Sequence, residues 1–156
     1  MFKRSIVLIL MTLAGGGCLF GRGSSSPSVP GQEHRQPPVD IATGPFDVAA
    51  RAFKPFKIVV PAGVKNARIE GKFSASGGWG DDIEVTLLEE TQFLNWQNRH
   101  KFLPLYQSGR ITADRIRVSL PADAATYVMV FNNRFSLMSS KGVVAEVKLL
   151  YDPLEK

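Results

Sequence analysis

Strict alternation of apolar and polar residues in several separate segments constrains the fold more than any other feature of the chain. One side of the first such segment consists of the small or apolar residues Ala67, Ile69, Gly71, Phe73 and Ala75. The residues between them are charged or bear hydroxyl groups. Because successive side chains of a β-strand point to opposite faces, this pattern predicts a strand with one buried and one solvated face.

The same period of two recurs along the chain. It is found in the segments 83–87, 115–120 and 143–151. Residues 56–60 are predicted to form an earlier strand, and residues 127–131 are apolar at every position, as in a central strand covered on both sides. Helical spacing appears only at 91–100, where we expect a loop or a single helical turn.

Turn-forming residues separate these segments. They occur at 61–63, 77–80, 108–109, 121–123, 132–133 and 141–142. Short strands at this spacing predict an all-β fold, an antiparallel β-sandwich of about 100 residues. The predicted domain spans residues 46–156.

The N-terminal residues have the layout of an export signal. A basic head containing Lys3 and Arg4 precedes an apolar run, and small residues follow as far as Cys18. The apolar stretch of about 15 residues is shorter than the ~20 residues that a membrane-spanning helix needs. Residues 1–17 are therefore predicted to be an export signal.

Small residues followed directly by the single cysteine resemble the lipobox of bacterial lipoproteins. In that family the thiol is acylated and the cysteine becomes the first residue after cleavage. The resemblance implies that Cys18 is lipidated and anchors the protein at the bacterial cell envelope. Two alternatives stay open, namely a secreted or periplasmic protein and an uncleaved anchor.

Residues 18–45 are predicted to be a flexible tether. Serine, glycine and proline dominate this stretch as far as Pro38, and no apolar periodicity is present. Such a composition cannot supply a hydrophobic core. The tether would hold the folded domain away from the membrane surface.

Charge and composition exclude several classes of function. The formal net charge is +5, but lysine and arginine alternate with acidic residues from residue 46 onward, so no block of cations suggests nucleic-acid binding. One cysteine excludes an internal disulfide and a cysteine-based zinc site, and the chain has only two histidines. We predict neither a cofactor nor a bound metal.

Candidate catalytic and calcium-binding groups do not assemble from the sequence. Asp82 and Glu84 share one face of a predicted strand while Asp81 points away, and no loop of calcium-ligand spacing follows. The adjacent Glu89 and Glu90 would point to opposite faces, unlike a glycosidase carboxylate pair. The serines lack the Gly-x-Ser-x-Gly turn of hydrolases. The sequence therefore predicts a protein that is not an enzyme.

Two stretches resemble the GOLD (Golgi dynamics) domain. In the first, Gly77 and Gly78 form a glycine turn that leads into Asp82 and Ile83. The second contains, in the order and spacing of that family, Tyr127, Phe131, Asn133, Ser136, Lys141 and Val143. The resemblance covers about residues 46–151. It implies an antiparallel β-sandwich, GOLD- or jelly-roll-like, that binds proteins or lipids and performs no chemistry.

The residue types in these motifs indicate structural roles. Asparagine and serine side chains bond local backbone groups in turns, which is the role expected for Asn133 and Ser136. Lys141 is expected to cover an edge strand, since lysine blunts unwanted strand pairing.

The candidate binding residues are Trp79, Trp96 and Arg134. Both tryptophans fall in predicted loops, where an aromatic ring could anchor a protein or stack on a sugar. We therefore expect a non-enzymatic module that binds another envelope protein. The alternative is a carbohydrate- or cell-wall-binding module that uses the two loop tryptophans.

Overall fold

A computed structural model describes residues 36–121 and 125–153. The predicted signal, Cys18 and most of the predicted tether lie outside these residues. Eight strands and one helix are present in the described part of the chain. They are β1 (Val39–Val48), β2 (Phe53–Val59), β3 (Val64–Ser76), β4 (Ile83–Glu89), α1 (Glu90–Gln97), β5 (Tyr106–Ile111), β6 (Ala113–Ser119), β7 (Thr126–Asn132) and β8 (Lys141–Pro153).

The strands form two four-stranded sheets that pack face to face. The first sheet has the order β1-β8-β3-β6 and the second has the order β2-β7-β4-β5. All neighbouring strands are antiparallel. The pairs β1–β8, β2–β7, β3–β6 and β4–β5 are nested, which is the topology of a jelly roll. The predicted antiparallel β-sandwich is confirmed.

The core lies between the two sheets and is centred on Phe131 of β7. The Phe131 ring meets Phe46, Phe56 and Phe73 in edge-on contacts, with centroid distances of 5.0, 5.7 and 5.8 Å. Edge-to-face aromatic pairs add roughly 0.5–1.5 kcal/mol each beyond the area they bury. Because these four rings come from four different strands, they hold both sheets together.

The helix covers the outer face of the second sheet. Val128 and Val130 of β7 are buried there beside Leu88 and Trp96, which explains why residues 127–131 are apolar at every position. The segment 91–100, where a loop or a single helical turn was expected, instead contains most of an eight-residue helix with a packing role. No helix in the described ranges is long and apolar enough to cross a membrane.

The first strand begins earlier than the sequence indicates. β1 starts at Val39, inside the stretch 18–45 that composition assigns to the tether, and it pairs with β8 from Val39↔Leu149 to Val48↔Lys141. The strand was not predicted because Gly44 and Pro45 interrupt the alternation of apolar and polar residues. Because β1 lies at the edge of the sheet, a proline there removes no hydrogen bond that the sheet needs.

A strand also replaces the turn predicted at 108–109. Ser108 and Gly109 lie in β5 as a bulge opposite Val85, where the pairing register with β4 shifts. Gly109 has a φ of 66°, and the Val85 N–H donates to Ser108 Oγ at 2.9 Å. The prediction of a turn was wrong because a bulge and a turn both require a residue that tolerates positive φ.

Candidate binding site

Three connections between the sheets lie together at one end of the sandwich, which we call the loop end. They span residues 49–52, 77–82 and 133–140. The register brings them together, since Lys141 at the start of β8 lies opposite Val48 at the end of β1. The following residue, Gly142, lies opposite Ser76 at the end of β3. The turn predicted at 141–142 is therefore the beginning of a strand.

Asn133 ties two of these connections together from inside the protein. Its fully buried side-chain amide Nδ2 lies 3.1 Å from the carbonyl oxygens of Val48 and Ala49 and 2.9 Å from that of Ser139, and donates to them. Its backbone N–H donates to the Ala52 carbonyl at 2.9 Å. Asn133 thus holds backbone groups rather than facing solvent.

Ser136 closes the connection 133–140 on itself. Its Oγ donates to the Ser139 carbonyl at 2.8 Å and accepts from the Ser139 N–H at 3.2 Å. The Ser136 carbonyl in turn accepts the Arg51 N–H at 2.9 Å. These bonds fix the course of the backbone on either side of Leu137 and Met138.

Glycines allow the connection 77–82 to pack tightly against the connection 133–140. Gly77 and Gly78 have φ values of 99° and 70°, which side chains rarely permit. A Cβ at Gly78 would lie 2.5 Å from Ser139 Cβ, so only glycine fits there. The next residue, Trp79, is thereby placed beside residues 137–139.

Lys141 is buried beneath the connection 77–82 and bonds to it. Its side chain is only 2% exposed, and Nζ donates to Asp82 Oδ1 at 3.0 Å and to the Trp79 carbonyl at 3.3 Å. The expectation that Lys141 covers an edge strand was wrong, because β8 is an interior strand of its sheet. A buried ammonium needs such partners, and the carboxylate and the loop carbonyl supply them.

Asp82 is bonded by two cations. Its second oxygen, Oδ2, accepts from Arg110 Nε at 3.0 Å and lies 2.9 Å from Nη2. Burial raises the pKa of Asp82, but the hydrogen bonds and positive charges of Lys141 and Arg110 outweigh it and leave the pKa below its usual value. The carboxylate is therefore ionised at neutral pH, and both of its oxygens are engaged.

Nowhere in residues 36–121 or 125–153 do three or more histidine, cysteine, aspartate or glutamate side chains converge to hold a metal ion. Glu84 instead accepts a hydrogen bond from Asn132 Nδ2 at 2.7 Å.

The outermost side chains of the loop end are apolar. Trp79 is 99% exposed, Met138 is 93% exposed and Leu137 is 67% exposed. We call these three residues the apolar patch. Single exposed apolar side chains are common, whereas groups of large ones on adjacent loops are a feature of interaction surfaces in proteins generally.

A groove of about 330 Å³ runs between the two loops that carry the patch. Trp79 and Met138 lie on its sides, and Arg110 and Phe135 also line it. The Arg110 guanidinium lies 4.0 Å from the centre of the Phe135 ring, a cation–π contact. The groove thus combines apolar walls with one half-exposed cation.

Trp96 does not belong to this site. It lies on α1, not in a loop as predicted, and its side chain packs on Phe53 at a centroid distance of 5.0 Å and is 8% exposed. The Arg134 guanidinium stacks over both rings, 4.4 Å from Phe53 and 4.6 Å from Trp96. Burial, and secondly the nearby charge of Arg99, lower the pKa of Arg134. Arg134 therefore covers the aromatic pair.

The remaining motif residues are part of the core. Ile83, Tyr127, Phe131 and Val143 are fully or almost fully buried between the sheets. The polar and glycine members of the two motifs meet at the loop end. In the sequence, only residue type distinguishes the motif residues of the core from those at the loop end.

Leu137, Met138 and Arg110 also lie at this site and were not predicted from the sequence. One signal was present, since Leu137 and Met138 form an apolar pair flanked by serines in a stretch without strand periodicity. Arg110 gave no such signal, because its place at the site depends on the bulge in β5.

Neither the protein-family models nor the curated proteins contain a match to this chain. The functional argument therefore rests on the residues and their geometry.

Proposed function

We propose that this protein is an exported, lipid-anchored binding module without enzymatic activity, and that its loop end holds a protein partner in the cell envelope. The observation that carries the proposal is the apolar patch of Trp79, Leu137 and Met138, whose side chains are all largely exposed on two adjacent loops.

The energetics of the patch favour burial against a partner. Removing one large apolar side chain from water contributes roughly 1.5–3 kcal/mol, so a patch of three supplies a substantial part of a binding free energy. Tryptophan is also enriched among the residues that dominate protein–protein affinity. Trp79 in the patch, with Arg110 lining the same groove, matches that composition.

The loops that carry the patch are already ordered. Lys141, Asn133 and Ser136 bond the backbone on both sides of the groove. Association therefore has to freeze few additional degrees of freedom, which leaves more of the burial energy for affinity.

The position of the patch suits a tethered domain. β1 enters the sandwich at Val39, opposite Leu149, and reaches the loop end only at Val48, opposite Lys141. Ten residues of strand span about 33 Å. A tether attached before Val39 would thus join the domain about one strand length away from the loop end, which leaves the loop end free to contact a partner.

The resemblance to the GOLD domain supports the same proposal. That family implies an antiparallel β-sandwich that binds proteins or lipids without catalysis, and the polar motif residues Asn133, Ser136 and Lys141 surround the patch. We propose that residues 39–153 are a GOLD-like domain in this sense.

The carbohydrate alternative is less well supported. It relied on two loop tryptophans as stacking platforms, but Trp96 is buried beneath Arg134. Trp79 alone presents an accessible ring. A protein partner makes use of Leu137 and Met138 as well, and we therefore favour it.

Site-directed photo-crosslinking of the full chain in its envelope tests the partner. A crosslinking residue placed at position 138 should capture one defined protein, and the same residue at position 62, in the exposed turn at the opposite end, should not. Trp79→Ala should abolish capture, whereas Leu103→Ala, which removes another exposed apolar side chain, should not.

A different result would count against the proposal. Equal capture from positions 138 and 62, or capture that survives Trp79→Ala, would place the partner elsewhere. Capture of glycan alone would favour the carbohydrate alternative.

Membrane attachment has its own test. We expect Cys18→Ala to move the protein from the membrane fraction to the soluble fraction, because acyl chains contribute ~0.8 kcal/mol per buried CH₂. Equal membrane retention of the variant would contradict lipid anchoring without affecting the loop-end proposal.

A further inference from the structure

The outward-facing side chains of the first sheet form rows across its four strands. One row contains Asp40, Lys148, Glu70 and Arg117, which lie opposite one another in the strand register. Their charges alternate, and Lys148 pairs with Asp40 at 3.8 Å and Arg117 with Glu70 at 3.3 Å. This row neutralises its own charges.

The next row of outward-facing side chains does not neutralise its own charges. It contains Thr43, Glu146, Lys72 and Arg115. Lys72 pairs with Glu146 at 3.2 Å, but Arg115 lies directly opposite Lys72 on β6, and no carboxylate in the described part of the chain pairs with it. Like charges directly opposite one another destabilise a sheet. This row therefore carries one uncompensated positive charge.

Small side chains beside this row leave an open hollow. Ser74 lies between Ala113 and Val144 in the register, and the hollow of about 610 Å³ is bounded by Lys72, Arg115 and Glu146. This volume lies within the range of small-molecule sites, about 300–1,000 Å³. It is much larger than an inorganic anion requires.

We propose that the hollow binds a small ligand through a phosphate group held between Lys72 and Arg115. Arginine matches phosphate oxygens with two parallel N–H donors, and lysine adds a compact positive charge. The Ser74 hydroxyl provides a further donor at the edge of the hollow. A phosphate supplies the negative charge that the row lacks.

The rest of the hollow indicates what the phosphate is attached to. Glu146, which pairs with Lys72, also lines the hollow, and its carboxylate accepts hydrogen bonds from hydroxyl groups on that side. The volume accommodates a body of about the size of a sugar. The hollow shares no residue with the apolar patch, and the inference therefore stands independently of the proposed protein partner.

Calorimetric titration of the full chain with glucose 6-phosphate tests the site. We expect saturable binding that Arg115→Gln weakens at least about tenfold, since the arginine supplies the charge-assisted bonds. The matched control is Arg117→Gln, on the same strand and face but already paired with Glu70. It should change the affinity less than about twofold.

Two further ligands define the source of the phosphate. Unphosphorylated glucose should not bind. Vesicles of phosphatidylglycerol, compared with phosphatidylcholine and tested on the full-length Cys18→Ser chain, report a lipid headgroup if their binding depends on Arg115 and not on Arg117.

Dependence on Arg115 with either phosphate source would support the inference and identify the source. Absence of binding to both would overturn it. Equal losses in Arg115→Gln and Arg117→Gln would also overturn it, because they would show general attraction to a positive surface.

Discussion

Lys141 and Asp82 form an ion pair of 3.0 Å although the lysine side chain is almost entirely buried. The pair joins the first residue of β8 to the residue that precedes β4, and the same ammonium bonds the backbone of Trp79. One buried cation thus connects the two sheets and holds the loop that carries Trp79, the most exposed large apolar side chain of the described residues.

Replacing Lys141 should lower the stability of the domain. Lys141→Met removes the cation from a carboxylate that is 15% exposed, and we expect the free energy of unfolding to fall by about 2–3 kcal/mol, less than for a wholly buried pair because Arg110 remains. Urea unfolding measures the loss. Lys148→Met, which breaks only a half-exposed contact, should change stability by less than about 0.5 kcal/mol. Similar values for the two variants would contradict the structural role of Lys141.

The same pair makes stability depend on acid. Because the pKa of Asp82 is lower in the folded protein than its ordinary 3.8, its contribution is complete above that pH and is lost as the pH falls through the folded value. We therefore expect the stability gap between the wild type and Asp82→Asn to be largest at neutral pH and to narrow below about pH 4. Denaturation at a series of pH values measures the gap. A gap that stays unchanged between neutral pH and acid would refute this.

Gly71 is required by the close approach of β3 to β8. A Cβ there would overlap the Glu146 carbonyl oxygen and lie 2.6 Å from Val147 Cα, so Gly71→Ala should destabilise the fold by about 3 kcal/mol. Gly142→Ala is the control, since its Cβ would lie 3.4 Å from Ser76 Oγ, and we expect a change below about 1 kcal/mol. Thermal unfolding of both variants distinguishes them. Equal melting temperatures would show that the two strands separate without cost.

Replacing Thr86 is expected to raise the stability of the domain rather than lower it. Its hydroxyl is fully buried in β4 and has no hydrogen-bond partner in the described structure. Thr86→Val keeps the shape and removes an unsatisfied polar group, so we expect a gain of about 1 kcal/mol in the free energy of unfolding. Thr43→Val on the exposed face of β1 should change it by less than about 0.5 kcal/mol. A loss of stability in Thr86→Val would reveal a hydrogen bond to that hydroxyl.

The two tryptophans should differ in fluorescence because one is exposed and the other buried. With Trp96→Phe, the remaining Trp79 should emit at long wavelength and be quenched readily by acrylamide. With Trp79→Phe, Trp96 should emit at shorter wavelength and be quenched several-fold less. Equal quenching in the two variants would contradict the placement of Trp96 under Arg134.

Alternation predicted the sandwich well where a strand has one wet face. Residues 67–76 and 143–151 fall within β3 and β8, and the apolar run 127–131 falls within β7. The first two predictions succeed because the two-residue period is a direct consequence of strand geometry, whereas the third rested on a continuous apolar run. Glycine and proline in β1, and the bulge in β5, interrupt the period and caused the errors there.

The candidate site was harder to predict because its residues come together only in three dimensions. Trp79 was identified from its glycine neighbours, but the exposure of Leu137 and Met138 depends on the bonds of Ser136 and Asn133. Lys141 was misassigned because a lysine at the start of a strand usually faces water. Its burial follows from the Asp82 carboxylate, which is 59 residues away in the chain.

The nested pairing of the strands also determines when the domain can close during synthesis. β1 has β8 as its only neighbour in the sheet, and β3 needs β8 on one side, so the first sheet is incomplete until residues 141–153 have emerged. Sheets built from distant segments fold slowly for this reason. A chain that is carried across a membrane from its N-terminus would therefore be unable to complete this sheet until residues 141–153 have passed.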